Sequence, residues 1–127
     1  MLHTTDNKPN TLLIGGVGGS LFVLENEKSY VYNIMIVARS NVSGLSKIWA
    51  CKCGAKKSAA GVSRIGAAIP VVTIIAEDGG ATAGWTVLVD VSAGTNSLDI
   101  SVQDIAGGTI NWMAVIEWAE VYLSLPS

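Results

Sequence analysis

The chain has 127 residues, enough for one domain without staples, and a formal net charge of -2. Only 14% of its residues are charged and half are apolar, against about a quarter charged in an ordinary soluble domain. That balance leaves no basic stripe for nucleic-acid phosphates and predicts a surface poor in charge, which on a soluble protein marks contact sites, so oligomerisation or assembly is the first expectation.

Residues 1–10, MLHTTDNKPN, are polar, carry Pro9, and lack the basic start and apolar run of a signal peptide. They read as a short extended, flexible arm ahead of one domain over residues 11–127. TLLI then runs into GGVGGS, which fits neither the dinucleotide-binding glycine fingerprint nor a P-loop and reads as a turn between short strands. SYVYNIMIVARS, residues 29–40, alternates Tyr30, Tyr32, Ile34 and Ile36 against Val31, Asn33, Met35 and Val37, the mark of a long strand. NVSGLS breaks it as a hairpin, and KIWACKCGA resumes with Ile48 and Ala50 opposing Trp49, Cys51 and Cys53.

KKSAAGVSRIGAAIP is small and glycine-punctuated and reads as loop plus one weak strand, while VVTIIAED is a buried-type strand ended by GGATAG. The apolar stretch GAAIPVVTIIA contains Pro70 and is too short for a membrane-spanning helix. WTVLVDVS sets Trp85, Val87, Val89 and Val91 against Thr86, Leu88 and Asp90; AGTN turns the chain into SLDISVQD, where Leu98, Ile100 and Val102 oppose Asp99, Ser101 and Gln103. After IAGG, the run GGTINWMAVIEWAEV places Ile110, Trp112, Ala114, Ile116 and Trp118 on one face and Met113, Val115, Ala119 and Val121 on the other. A strand needs only one apolar face to cover a core, so the surplus is read as a subunit interface carried by Trp112, Met113, Val115, Trp118 and Val121. Strands at this spacing predict an all-β antiparallel β-sandwich or jelly roll of about eight strands.

Catalytic chemistry lacks an inventory. The only histidine is His3, inside the arm, so a serine or cysteine triad has no base and a histidine-based metal site lacks ligands. Cys51 and Cys53, two apart in a strand, are poorly placed for a mutual disulfide and lack partners for a zinc site; they read as reduced packing cysteines of a protein made in a reducing cytoplasm. Glu77 and Asp78 adjoin a glycine turn and read as turn punctuation rather than calcium ligands. Lys47, Lys52, Lys56 and Lys57 read as a solvated strand edge rather than a polyanion site. Trp49, Trp85, Trp112 and Trp118 suit core or interface packing better than a sugar-stacking platform, and the sequon at Asn41, Val42 and Ser43 is a chance match without an export signal. No enzyme activity and no cofactor are expected.

The succession KIWACKCGA, GWTVLVDV, NSLDISVQD and GGTINWMAVIEWAEV, over roughly residues 30–123, resembles a small β domain of tailed-bacteriophage virion proteins, of the kind found at the distal ends of tail fibres and in capsid decoration proteins. The resemblance rests on Trp49, Trp85 and TINWMAVIEWAEV. It implies a homotrimer without cofactor, located in the virion and assembled in the host cytoplasm. Tail-fibre distal domains follow a shaft, whereas here only about ten polar residues precede the first strand, so the reading is a trimeric capsid decoration (cement) protein that contacts the major capsid protein. In it the arm, with His3, Asp6, Lys8 and Pro9, is the attachment element and orders on binding. The alternative is a tail-fibre or receptor-binding subunit on the tail proteins, whose loops, with Asn41, Ser43, Glu77 and Asp78, touch a host receptor or glycan. A stand-alone lectin-like or hydrolytic protein is a third reading, and neither nucleic acid nor membrane insertion is expected.

Overall fold

The structure is a computed structural model that describes residues 2–4, 10–12, 22–66, 68–79, 82–103 and 110–122. In chain order its strands are β1 (Leu2–Thr4), β2 (Asn10–Leu12), β3 (Phe22–Val23), β4 (Lys28–Ser40), β5 (Ser46–Ser58), β6 (Gly61–Arg64), β7 (Val72–Glu77), β8 (Thr86–Ser92), β9 (Ser97–Gln103) and β10 (Ile110–Tyr122). The fold is the all-β antiparallel sandwich that the alternation predicts. Three strands of only two or three residues, β1 to β3, carry the number above eight.

One sheet has the order β1-β10-β4-β5-β6, with β7 also on β5; the other has β2-β9-β3, with β8 on β9. Three strands of 13 residues, β10, β4 and β5, form the broad middle of the first sheet. Their inner faces bury Tyr32, Ile34, Ile36, Trp49, Cys51 and Trp112 against Val89, Leu98, Ile100 and Val102 of the second sheet. Trp49 and Trp112 stack with centroids 5.5 Å apart. Phe22 closes the far end, its ring edge-on to Tyr32 at 5.1 Å and to Trp118 at 4.9 Å, a geometry that aromatic quadrupoles favour.

Turn chemistry agrees with the strand pattern. Asn96, in the AGTN turn, takes a positive φ of 52°, which Asn tolerates better than most residues, and its carbonyl accepts the Leu24 N–H at 2.9 Å. The weak strand expected near residue 62 is β6; it returns from β5 through Gly61, with Ser58 opposite Gly61, and Lys56 and Lys57 belong to β5 rather than to a loop. A register shift between Ile48 and Trp49 leaves Ile75 as the extra residue of a bulge on β7.

Two lysines are buried on the inner face, Lys47 among them although it reads from sequence as part of a solvated strand edge. Lys47 shares the inner face with Trp49 and is 3% exposed; its Nζ donates to the carbonyls of Thr82 at 3.1 Å and Trp85 at 3.3 Å and pairs with Glu77 at 3.2 Å. A buried ammonium persists only with such partners, so Lys47 pins the loop between β7 and β8 under the sheet. Lys28 likewise is buried between Glu25 at 2.8 Å and Glu120 at 2.9 Å, and these carboxylates hold its ammonium charged above the usual lysine range. Arg64 of β6 ties the two sheets together through a two-pronged pair with Asp90 of β8, both contacts at 2.7 Å.

Candidate interaction surface

β4 and β10 lie side by side, Met35 opposite Val115 and Val37 opposite Met113, while β5 flanks β4 on the other side with Ala50 opposite Met35 and Ile48 opposite Val37. Residues in register across a sheet point to one face. The outer face of the first sheet therefore carries one apolar row of Val115, Met35 and Ala50 and a second of Met113, Val37 and Ile48. Val115, Met35 and Met113 are each at least half exposed. Beyond a polar row come Ala119, Val31 and Gly54. Gly54 is glycine for a reason of space: Ile65 lies over it, its Cδ1 only 3.0 Å from where a Cβ would stand, so Ile65 extends the apolar surface across β5.

The polar row is Glu117, Asn33 and Lys52, one residue from each of β10, β4 and β5. All three side chains are exposed, and a shallow open depression of ≈ 350 Å³ lies over them. Glu117 and Lys52 are two strand spacings apart, about 10 Å, too far to pair directly. Among the described residues neither makes an ion pair.

The strand spacing splits the five residues read as an interface. Trp112 is wholly enclosed and is corrected from interface to core, because its parity is that of Ile110 and its ring stacks on Trp49. Trp118 shares that inner parity but lies near the end of the sandwich, 53% exposed against Phe22. Met113, Val115 and Val121 are on the outer face and exposed, as are Val31 and Met35 of β4, which the sequence reading left out. The signal for β4 was present in its own alternation; what was missing was the pairing that sets β4 beside β10.

Within the segment read as an arm, Leu2–Thr4 forms β1, with His3 opposite Asn111, and Asn10 opens β2 against Val102; Asp6, Lys8 and Pro9 lie outside the described residues. The structure brings the two candidate contact loops to one end of the sheet. Asn41 and Ser43 sit in the exposed turn between β4 and β5, where the Ser43 N–H donates to Ser40 Oγ at 3.2 Å. Ser46, at the end of that turn, donates its N–H to Asp78 Oδ2 at 2.9 Å and accepts the Asp78 N–H at 3.0 Å. Asp78 thus fastens one loop to the other, and Glu77 answers Lys47. The four lysines are not one edge: β5 is flanked on both sides, Lys47 is buried, Lys57 Nζ holds Asn26 at 2.9 Å, and Lys52 and Lys56 face outward from the sheet.

Cys51 and Cys53 are free; burial pushes the Cys53 thiol up to about 12 and the Cys51 thiol upward as well. Among the described residues no group of three or more His, Cys, Asp or Glu is placed to hold a metal ion, and no helix is long and apolar enough to cross a membrane. The chain matches no protein-family model and no curated protein.

Proposed function

We propose that this chain is a non-enzymatic structural protein that works by protein–protein contact through the outer face of its broad sheet, and that its setting is the one the sequence resemblance implies, decoration of a bacteriophage capsid. The observation that carries the contact reading is the surface itself. Half-exposed Met35, Val115 and Met113 form a continuous patch with Val37, Ile48 and Ala50 on three long strands, an arrangement that marks binding surfaces on soluble domains. The virion setting rests on the resemblance alone.

Particles assembled with and without the chain provide the test. Decoration requires that its removal lower the heat or low-salt resistance of the capsid and leave host adsorption intact. Unchanged capsid resistance with lost adsorption would move the chain to the tail. The loop cluster of Asn41, Ser43 and Asp78 favours that second reading, because loops held at one end of a rigid sheet are a common site of recognition.

A further inference from the structure

The row Glu117, Asn33, Lys52 has opposite charges at its ends and a neutral amide between them on the central strand of the three. We propose that two copies of the chain dock face to face through this sheet, about a two-fold axis that runs along β4 over Asn33, so that Glu117 of each copy meets Lys52 of the other. This deepens the contact reading above and rests on it; the occupant named for the outer face is a second copy.

The symmetry follows from the charges. A two-fold axis lying between two facing sheets and running along the central strand exchanges the strands on either side, so β10 of one copy lies over β5 of the other. Each Glu117 then faces a Lys52, twice, and Asn33 faces its own counterpart on the axis. An axis across the strands would keep β10 over β10 and set Glu117 against Glu117 and Lys52 against Lys52. Like charges brought together in an interface disfavour it strongly, so the row selects the first arrangement. The resemblance implies three copies; this face is complementary to itself, the property an isologous pair requires.

Shape agrees with charge. The same operation puts Met35 over Met35 and Val37 over Val37, sets the larger Val115 over the small Ala50, and brings the small Ala119 against Ile65 where it covers Gly54. Facing sheets pack about 10 Å apart with strands crossing at about 30°, so the match is tightest at the crossing point, which is where the polar row lies. Arg39, the outward cation of β4 nearest the hairpin, is six residues from Asn33, roughly 20 Å along the strand. There the crossing carries the two copies of Arg39 about 10 Å apart. Three strands of 13 residues give a flat area of roughly 14 by 43 Å, about 600 Å² before side-chain relief is added. That is on the order of the ~800 Å² per partner that stable interfaces bury.

The test is sedimentation of the full chain and of variants at exposed positions, each checked for an unchanged β spectrum. The wild-type chain is expected as a dimer. Lys52→Glu and Glu117→Lys should each weaken it at least about tenfold, and the double variant, which exchanges the charges, should return to within about threefold of wild type. Asn33→Cys adds an independent reading: its two Cβ atoms would face each other across about 7 Å, too far for a disulfide but within reach of a short bis-maleimide, which should give a cross-linked dimer that the unaltered chain, with Cys51 and Cys53, does not. A monomer at 100 µM would overturn this inference and leave the contact reading to the particle test. A trimer, or an oligomer indifferent to both charge reversals and giving no cross-link through position 33, would overturn the two-fold pairing alone. In that case, loss of the oligomer in Val115→Glu would still leave the outer face as the docking surface.

Discussion

Trp112 and Trp118 stand six residues apart on the same strand parity, and the structure gives them opposite weights. Trp112 is fully buried between the sheets and stacked on Trp49; Trp118 keeps 53% of its surface exposed and touches Phe22 edge-on. Trp112→Ala removes a large, wholly enclosed side chain from between the sheets, which costs about 3–5 kcal/mol. With an unfolding entropy of roughly 2.1 cal/mol/K per residue, this chain unfolds with about 0.27 kcal/mol/K, so Tm should fall by about 11–19 °C. Trp118→Ala forfeits one aromatic contact, about 0.5–1.5 kcal/mol, or about 2–6 °C. The assay is thermal and urea unfolding followed by circular dichroism, at one fixed concentration because association adds concentration-dependent stability. Equal losses in the two variants, or a Trp112→Ala chain within 1 kcal/mol of wild type, would refute the assignment of Trp112 to the core.

Other outcomes follow from single side chains. The Tyr32 hydroxyl is buried and finds no hydrogen-bond partner among the described residues, so Tyr32→Phe should be neutral or stabilise by up to about 1 kcal/mol, read as an unchanged or higher urea midpoint; a loss above 1 kcal/mol would show that the hydroxyl is satisfied. The Arg64 guanidinium holds the Asp90 carboxyl below its ordinary range, so the stability this pair adds is present above the usual carboxylate pKa and fades as pH falls through the lowered folded value. The gap between wild type and Asp90→Asn should accordingly shrink from pH 7 toward pH 2, and a flat difference would contradict the pairing. With burial raising both cysteine thiols, alkylation of the native chain at pH 8 should run at least tenfold slower than in denaturant; equal rates would mean that the thiols reach solvent.

Period-two alternation was enough to read most strands and their inner faces, because β4 switches between core and solvent along its length and β9 after Ser97 and the first half of β10 keep the same parity; β7, read as a buried-type strand, is instead mostly exposed. The same parity placed Lys47 with Trp49 and Lys28 with Tyr30, yet a charge on an inner face contradicts the usual rule that lysine is outside. What reconciles them lies far away in sequence: Glu77, Thr82 and Trp85 for the first, Glu120 for the second. The outer patch was half legible. β10 announced a surplus apolar face by itself, but the row of Glu117, Asn33 and Lys52 exists only because β10 returns to pair with β4 across some eighty residues, and no local pattern encodes which strands become neighbours.

That neighbour choice bears on why the outer face holds so few charges. A broad sheet with an apolar exposed face is prone to indiscriminate stacking, and proteins guard such faces with charge, bulges or coverage. Here the outward charges of the three middle strands are Arg39 near one end, Lys56 near the other, and Glu117 and Lys52 at the waist. End charges alone would deter contact in any orientation. A waist of one acid and one base does more, because it penalises a copy laid across the strands and rewards one laid along them. The sparse charge of the sequence, met first as a sign of stickiness, is on this argument the means by which a sticky face accepts one partner in one orientation. Replacing Glu117 and Lys52 together by alanine should therefore leave association in place but loosen its geometry. Several cross-linked species through Asn33→Cys and flanking cysteines, where the charged face gives one, are the expected result, and a single unchanged cross-link pattern would show that shape, not charge, sets the orientation.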